Sequence, residues 1–137
     1  DPQNFKIGDC LTQRNLNKQG RKEAVLIGRS LRLSGIKISK IFSSEWCRCI
    51  ETADLFELGP VETFSGLNSF YNARDKEKII LTKLRRLIKT FKPNQNLVIM
   101  VTHFVNIAAI TKMSTNSGEG VILSLDNRRV QKLKNMF

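Results

Sequence analysis

Asn96-Leu97-Val98-Ile99-Met100-Val101-Thr102-His103 decides the fold class. Its unbroken apolar run lacks the alternation of a half-buried strand, and suits a strand covered on both faces within a parallel sheet. A short helical stretch after His103 ends near Thr111. Upstream, Asp75 to Phe91 places Ile80, Leu84, Leu87 and Phe91 on one face and cations elsewhere, an amphipathic helix stopped by Lys92-Pro93. Val61 to Phe64 reads as a brief strand. Before it, Ser43-Ser44-Glu45 opens a helix carrying Trp46, Ile50, Ala53 and Phe56, and Gly59-Pro60 ends it. Lys37 to Ser43 is a β-branched and aromatic run, read as a strand. Earlier still, Ala24, Ile27 and Leu31 recur at helical spacing. Asn15 or Asn17 is placed to cap that helix, and Gly35 to end it in the left-handed conformation. Asp1 to Asn15 is polar and reads as a loop. Downstream, Gly120 to Leu125 is a strand, Asp126-Asn127 a turn, and Arg128 to Leu133 its hairpin partner. Helices alternating with strands give an α/β fold: a three-layer sandwich whose mainly parallel sheet is flanked by helices, with a C-terminal hairpin.

The 137 residues, 41% of them hydrophobic, suit one domain spanning 1–137. No apolar run reaches the roughly 18 to 20 residues of a membrane span. Lys and Arg number 23 against 12 Asp and Glu, a net charge of +11. Such a balance suits nucleic acid or an anionic substrate. However, the cations are scattered, as in Lys76, Lys78, Lys83, Arg85, Arg86, Lys89 and Lys92, and no aromatic residues interleave to stack bases. Solvated helix faces explain them, and neither a nucleic-acid nor a membrane partner is expected.

Three cysteines cannot all pair within the chain. Cys47 and Cys49 are too close in sequence for an unstrained bridge, and no cysteine or histidine pair has zinc spacing. Cys10, Cys47 and Cys49 therefore read as free, buried small hydrophobes in a reducing, cytoplasmic setting. No signal peptide is visible and the chain opens at Asp1 without Met, so an upstream segment is expected.

Ligands of an open α/β sheet bind beyond the carboxyl ends of its strands. Ser43-Ser44 ends one strand, with Arg48 a turn into the next helix. His103, the only histidine, ends the buried strand just before a helix. A guanidinium, an imidazole and helix-terminal N–H groups together suit phosphate.

Four segments carry a resemblance. Leu16-Asn17-Lys18-Gln19-Gly20-Arg21-Lys22-Glu23-Ala24 is similar to the L-x-x-x-G-R-x-x-A helix opening of the histidine phosphatase superfamily, the phosphoglycerate-mutase-like fold. Ser43-Ser44-Glu45-Trp46-Cys47-Arg48-Cys49-Ile50-Glu51-Thr52-Ala53 resembles its S-S-x-x-x-R-x-x-x-T-A segment. Val101-Thr102-His103 with Asn106 resembles its second-histidine strand, and Gly118-Glu119-Gly120-Val121 its C-terminal G-E-x-x strand. Gly8-Asp9-Cys10 with Thr12-Gln13-Arg14-Asn15, and Trp46-Cys47-Arg48-Cys49, look like a bacterial subgroup of small phosphatases. The four segments follow the family's order over about 110 residues.

The resemblance implies a phosphomonoester hydrolase acting through a phosphohistidine intermediate. Arg48 would hold the phosphoryl oxygens, His103 would stabilise transition-state charge, and the backbone N–H of Phe104 would donate to the phosphate. Neither cofactor nor metal is implied, and the partner is a small phosphorylated substrate or a phosphoprotein. The family's nucleophilic histidine lies in an Arg-His-Gly or Arg-His-Ala strand, a motif this chain lacks. The resemblance places it upstream of Asp1, on a strand in the middle of the sheet, whose absence would leave a gap. The usual proton-donor glutamate is replaced by Ser69, with Asp75 or Glu77 as substitutes. Two alternatives stand beside this reading: a non-catalytic binder of phosphorylated ligands on the same fold, and a basic nucleic-acid-binding module.

Overall fold

The computed structural model describes residues 1–93 and 95–133. After a short 3-10 turn at Cys10–Thr12, helix α1 runs over Lys18–Leu33 and strand β1 over Ile38–Ser43. Helix α2 follows at Cys47–Leu55, strand β2 at Glu62–Thr63, and helix α3 at Glu77–Lys89. Strand β3 spans Leu97–Val101, helix α4 Phe104–Thr111, and strands β4 and β5 occupy Val121–Leu123 and Val130–Lys132.

The local signals act as their chemistry predicts. The Asn17 side chain accepts from the Gly20 N–H and satisfies one orphan donor of α1. Gly35 takes φ +73° just beyond that helix. Ser44, rather than opening α2 as a helical residue, stands ahead of it and accepts the Trp46 N–H at 3.1 Å.

β1 lies at the centre of a parallel sheet of order β2-β1-β3. Its register with β3 pairs Ile41 with Ile99 and Ser43 with Val101. Beyond the strand, the Ser44 N–H continues the ladder by donating to Val101 O at 2.9 Å. This alignment brings Ser44 level with the chain entering His103. Helix α2 packs against β1 and β3, and α1 packs on α2. Strand alternation turns Phe42 the other way, into a cluster with Leu67 and Leu84 against which Met100 and Phe91 pack. The sheet is thus flanked by helices, in accord with the predicted α/β sandwich.

Strand β3 departs from its sequence reading. Each of its five residues is only half-buried, not covered on both faces. The physical reason is its place at the edge of the sheet: β4 and β5 pair with each other as a separate antiparallel hairpin, and no described strand bonds to the far side of β3.

The cysteines also differ from expectation. Cys10 and Cys47 form a disulfide, with Cα atoms 5.7 Å apart across 37 residues of sequence. The segment before α1 folds back onto the start of α2, a closeness that sequence spacing does not reveal. Only Cys49 is free and buried. With a disulfide present, the cysteines no longer argue for a reducing compartment. Among the described residues, no helix is long and apolar enough to cross a membrane.

Candidate functional site

Ser43 and Ser44 are completely buried at the end of β1, and His103 is buried at the end of β3. Because the two strands are parallel and in register, their carboxyl ends open at the same edge, where α2 and α4 begin. Arg48, in the first turn of α2, reaches across this edge, and its Nη2 lies 3.5 Å from His103 Nδ1. Residues 55 positions apart in the chain thus meet. The gap is shorter than the about 4 to 8 Å that two ligands flanking one anion would leave.

The donors around His103 determine its tautomer. A guanidinium only donates, so Nδ1 facing Arg48 carries the lone pair and Nε2 carries the hydrogen. Nε2–H then donates to Ser44 Oγ at 2.9 Å. Ser44 passes its own hydrogen to Asn68 Oδ1 at 3.3 Å. Asn68 Oδ1 also accepts the Glu45 N–H at 2.9 Å, while its amide donates to the Glu45 carboxylate at 2.9 Å. The chain of bonds is complete, and it points the Ser44 proton away from the imidazole. Ser44 is therefore not poised as a nucleophile deprotonated by His103.

Burial and then the Arg48 charge push the His103 pKa down to about 3, so the ring is neutral. The Trp46 indole packs edge-on to it, with ring centroids 5.0 Å apart. Cys49 Sγ approaches Nε2 at 3.8 Å. Burial raises that thiol to about 11 against the opposing pull of Arg48 and a hydrogen bond with Ser44, so it stays protonated and is a poor nucleophile. Partial burial lowers the Arg48 pKa from its ordinary value. A guanidinium keeps its charge even so.

Phe104 is the first residue of α4, where a backbone N–H has no acceptor within the helix. Its side chain is exposed and rests on Tyr71, ring centroids 5.5 Å apart. Asn106, one turn into the helix, is completely buried and donates to Asn68 O at 2.9 Å. Its Oδ1 has no partner among the described residues. The candidate proton donors fall elsewhere. Glu77 pairs with Arg74 at 3.3 Å, Asp75 is exposed, and Ser69 accepts the Tyr71 N–H. Among the described residues, no group of three or more His, Cys, Asp or Glu could hold a metal ion.

Sequence reasoning missed Asp1. Its carboxylate accepts from Arg48 Nη1 at 3.0 Å through both oxygens and from Trp46 Nε1 at 3.1 Å. It also missed Asn68, which links Glu45 to Ser44. Both stand in stretches without periodicity, and the site residues they bond, Trp46 and Arg48 for Asp1 and Ser44 and Glu45 for Asn68, are 23 to 47 residues away, so no local signal marks them.

Residues 11–74 match the family model of the Histidine phosphatase superfamily (branch 1). That match supports the superfamily assignment. The matched stretch contains α1, β1 and α2, and so includes Ser44 and Arg48. His103 lies outside it and joins the site through the pairing of β3 with β1. No curated protein matches the chain. The match covers 64 of the 137 residues and is a likeness to that superfamily.

Proposed function

We propose that the chain forms the phosphate-holding side of a phosphomonoester hydrolase, with Arg48, His103 and the Phe104 N–H as the phosphate-binding and catalytic groups. The observation that carries this reading is the convergence of Arg48 Nη2 and His103 Nδ1 at the mouth of a buried network, beside the first turn of α4. A phosphoryl dianion against this face meets a permanent cation and an unpaired N–H. It also favours the His103 tautomer with hydrogen on Nδ1. Ser44 accommodates that change by donating to Nε2 instead of accepting from it, since a hydroxyl serves either role.

His103 is the chain's only histidine, and its Nε2 is enclosed against Ser44. We assign it to charge stabilisation. The nucleophile is then a histidine upstream of Asp1, on a strand seated along the open edge of β3. Its imidazole nitrogen attacks phosphorus as the ester P–O bond breaks, and the departing alkoxide takes a proton from water. Water next attacks the phosphohistidine, breaking the P–N bond and releasing inorganic phosphate. The substrate class is a small phosphomonoester or a phosphorylated protein side chain.

Residues 1–137 alone are expected to be nearly inert toward p-nitrophenyl phosphate, since losing a nucleophile costs about 10⁴- to 10⁶-fold in rate. The protein carrying an upstream Arg-His strand should hydrolyse the ester and lose that activity with Arg48→Ala or His103→Ala. Turnover by residues 1–137 alone at an ordinary enzymatic rate would refute the phosphohistidine route.

A further inference from the structure

Asp1 occupies a position that the phosphate-binding reading does not explain. Its side chain is only 9% exposed, whereas that of its ion-pair partner Arg48 is 30% exposed. One carboxylate oxygen accepts the Arg14 N–H at 2.8 Å and Arg48 Nη1 at 3.0 Å. The other accepts Arg48 Nη1 at 3.0 Å and Trp46 Nε1 at 3.1 Å. A buried carboxylate with this many donors is held firmly, because leaving any of them would strand a desolvated charge.

The two side chains that Asp1 grips are both in contact with His103, alongside Ser44 and Cys49. Arg48 faces the ring at Nδ1, and Trp46 packs against it edge-on. Arg48 Nη1 is turned to protein, toward Asp1 and also Arg14 O at 3.4 Å. Nη2 is left directed at the imidazole. Without Asp1, a half-exposed arginine would sample several rotamers and often withdraw Nη2 from the pocket.

We infer that Asp1 is a positioning residue: it fixes the Arg48 fork so that one nitrogen is anchored to protein and the other is presented with His103 to a phosphoryl oxygen. This rests on the phosphate reading of the site. The alternative role for a carboxylate here is a plug that competes with the anion for Arg48. The contacts favour positioning, since Asp1 engages Nη1 alone and leaves Nη2 unobstructed.

Two measurements on the intact chain separate these ideas. Tungstate, a phosphate analogue, serves as the ligand for calorimetric titration of Asp1→Asn, Arg48→Lys and the double variant. Asp1→Asn should weaken tungstate about tenfold and have little further effect in the Arg48→Lys background, the coupling that positioning through Arg48 requires. Nitrogen NMR of the Arg48 guanidinium should show hindered rotation in the parent and averaging in Asp1→Asn, with no anion present. Tungstate binding equal to or tighter than the parent's in Asp1→Asn would overturn the proposal, as would unaltered guanidinium signals. A parent that holds Arg48 rigid yet binds no tungstate would instead overturn the phosphate reading, and with it the purpose assigned to Asp1.

Discussion

His103 is held neutral by its surroundings, and that has a consequence for stability. Unfolded, a histidine titrates near about 6.5. In the fold the pKa is about 3, through burial first and the Arg48 charge second. Between those values the unfolded chain binds a proton that the folded chain refuses. The stabilisation is therefore complete above about pH 6.5 and is lost as pH falls toward 3, at up to about 1.4 kcal/mol per pH unit. Urea unfolding at pH 7, 6 and 5 should show this decline. The slope should flatten in His103→Gln, and an unchanged slope there would assign it to another group. At this scale the meeting of Arg48 and His103 at one sheet edge was legible in the sequence, because each stands at the end of a legible strand or in the helix turn after one. Asp1, Trp46 and Asn68 were not legible as parts of the site. Their roles arise from contacts across 23 to 47 residues, and polar residues in loops carry no period by which such contacts can be read.

Helix α1 meets the end of α2 at close range through Gly28. A Cβ built on Gly28 would lie 2.1 Å from Phe56 O and 2.5 Å from its Cα, both backbone atoms. Arg32, one turn further along α1, donates to the same carbonyl and fixes the two helices together. Gly28→Ala therefore cannot be absorbed by a rotamer change and must push the helices apart. Overpacking of this kind costs about 1 to 3 kcal/mol, and should lower the thermal midpoint while leaving helix content intact by circular dichroism. A midpoint equal to or above the parent's would mean the helices separate freely. The sequence made α1, α2, α3 and the hairpin legible through their caps, stops and apolar spacing. It misjudged β3, since Leu97 to Val101 has the composition of a central strand and nothing local reports that one neighbour is missing. Gly28 gave no signal either: a glycine inside a helical pattern reads as a weakness until the opposing backbone is known.

Across the whole molecule, the Cys10–Cys47 disulfide closes a loop of 37 residues that holds α1 and β1. Constraining the unfolded chain over that length is worth about 3 to 4 kcal/mol. Reduction, or Cys10→Ser, should shift the urea midpoint by a corresponding amount. A shift below about 1 kcal/mol would show that the segment before α1 adds little constraint. The sequence read all three cysteines as free, because nothing local reports that the segment before α1 returns to the start of α2; the fold joins Cys10 to Cys47 and leaves Cys49 free. Charge is distributed at this scale too. The net +11 is spread over the whole chain, and it should keep copies of the chain apart in dilute salt. Strand β3 works against that repulsion. Its outer edge leaves backbone donors and acceptors without a described partner strand, along five residues of which none is charged. Such an edge is a template for another chain's strand. Raising the salt screens the repulsion but not the template, so residues 1–137 should stay dispersed at low ionic strength and assemble edge to edge, enriched in β-structure, as salt is added. Light scattering against salt concentration would follow the process, and Ile99→Lys, which places a charge on the edge strand itself, should delay it.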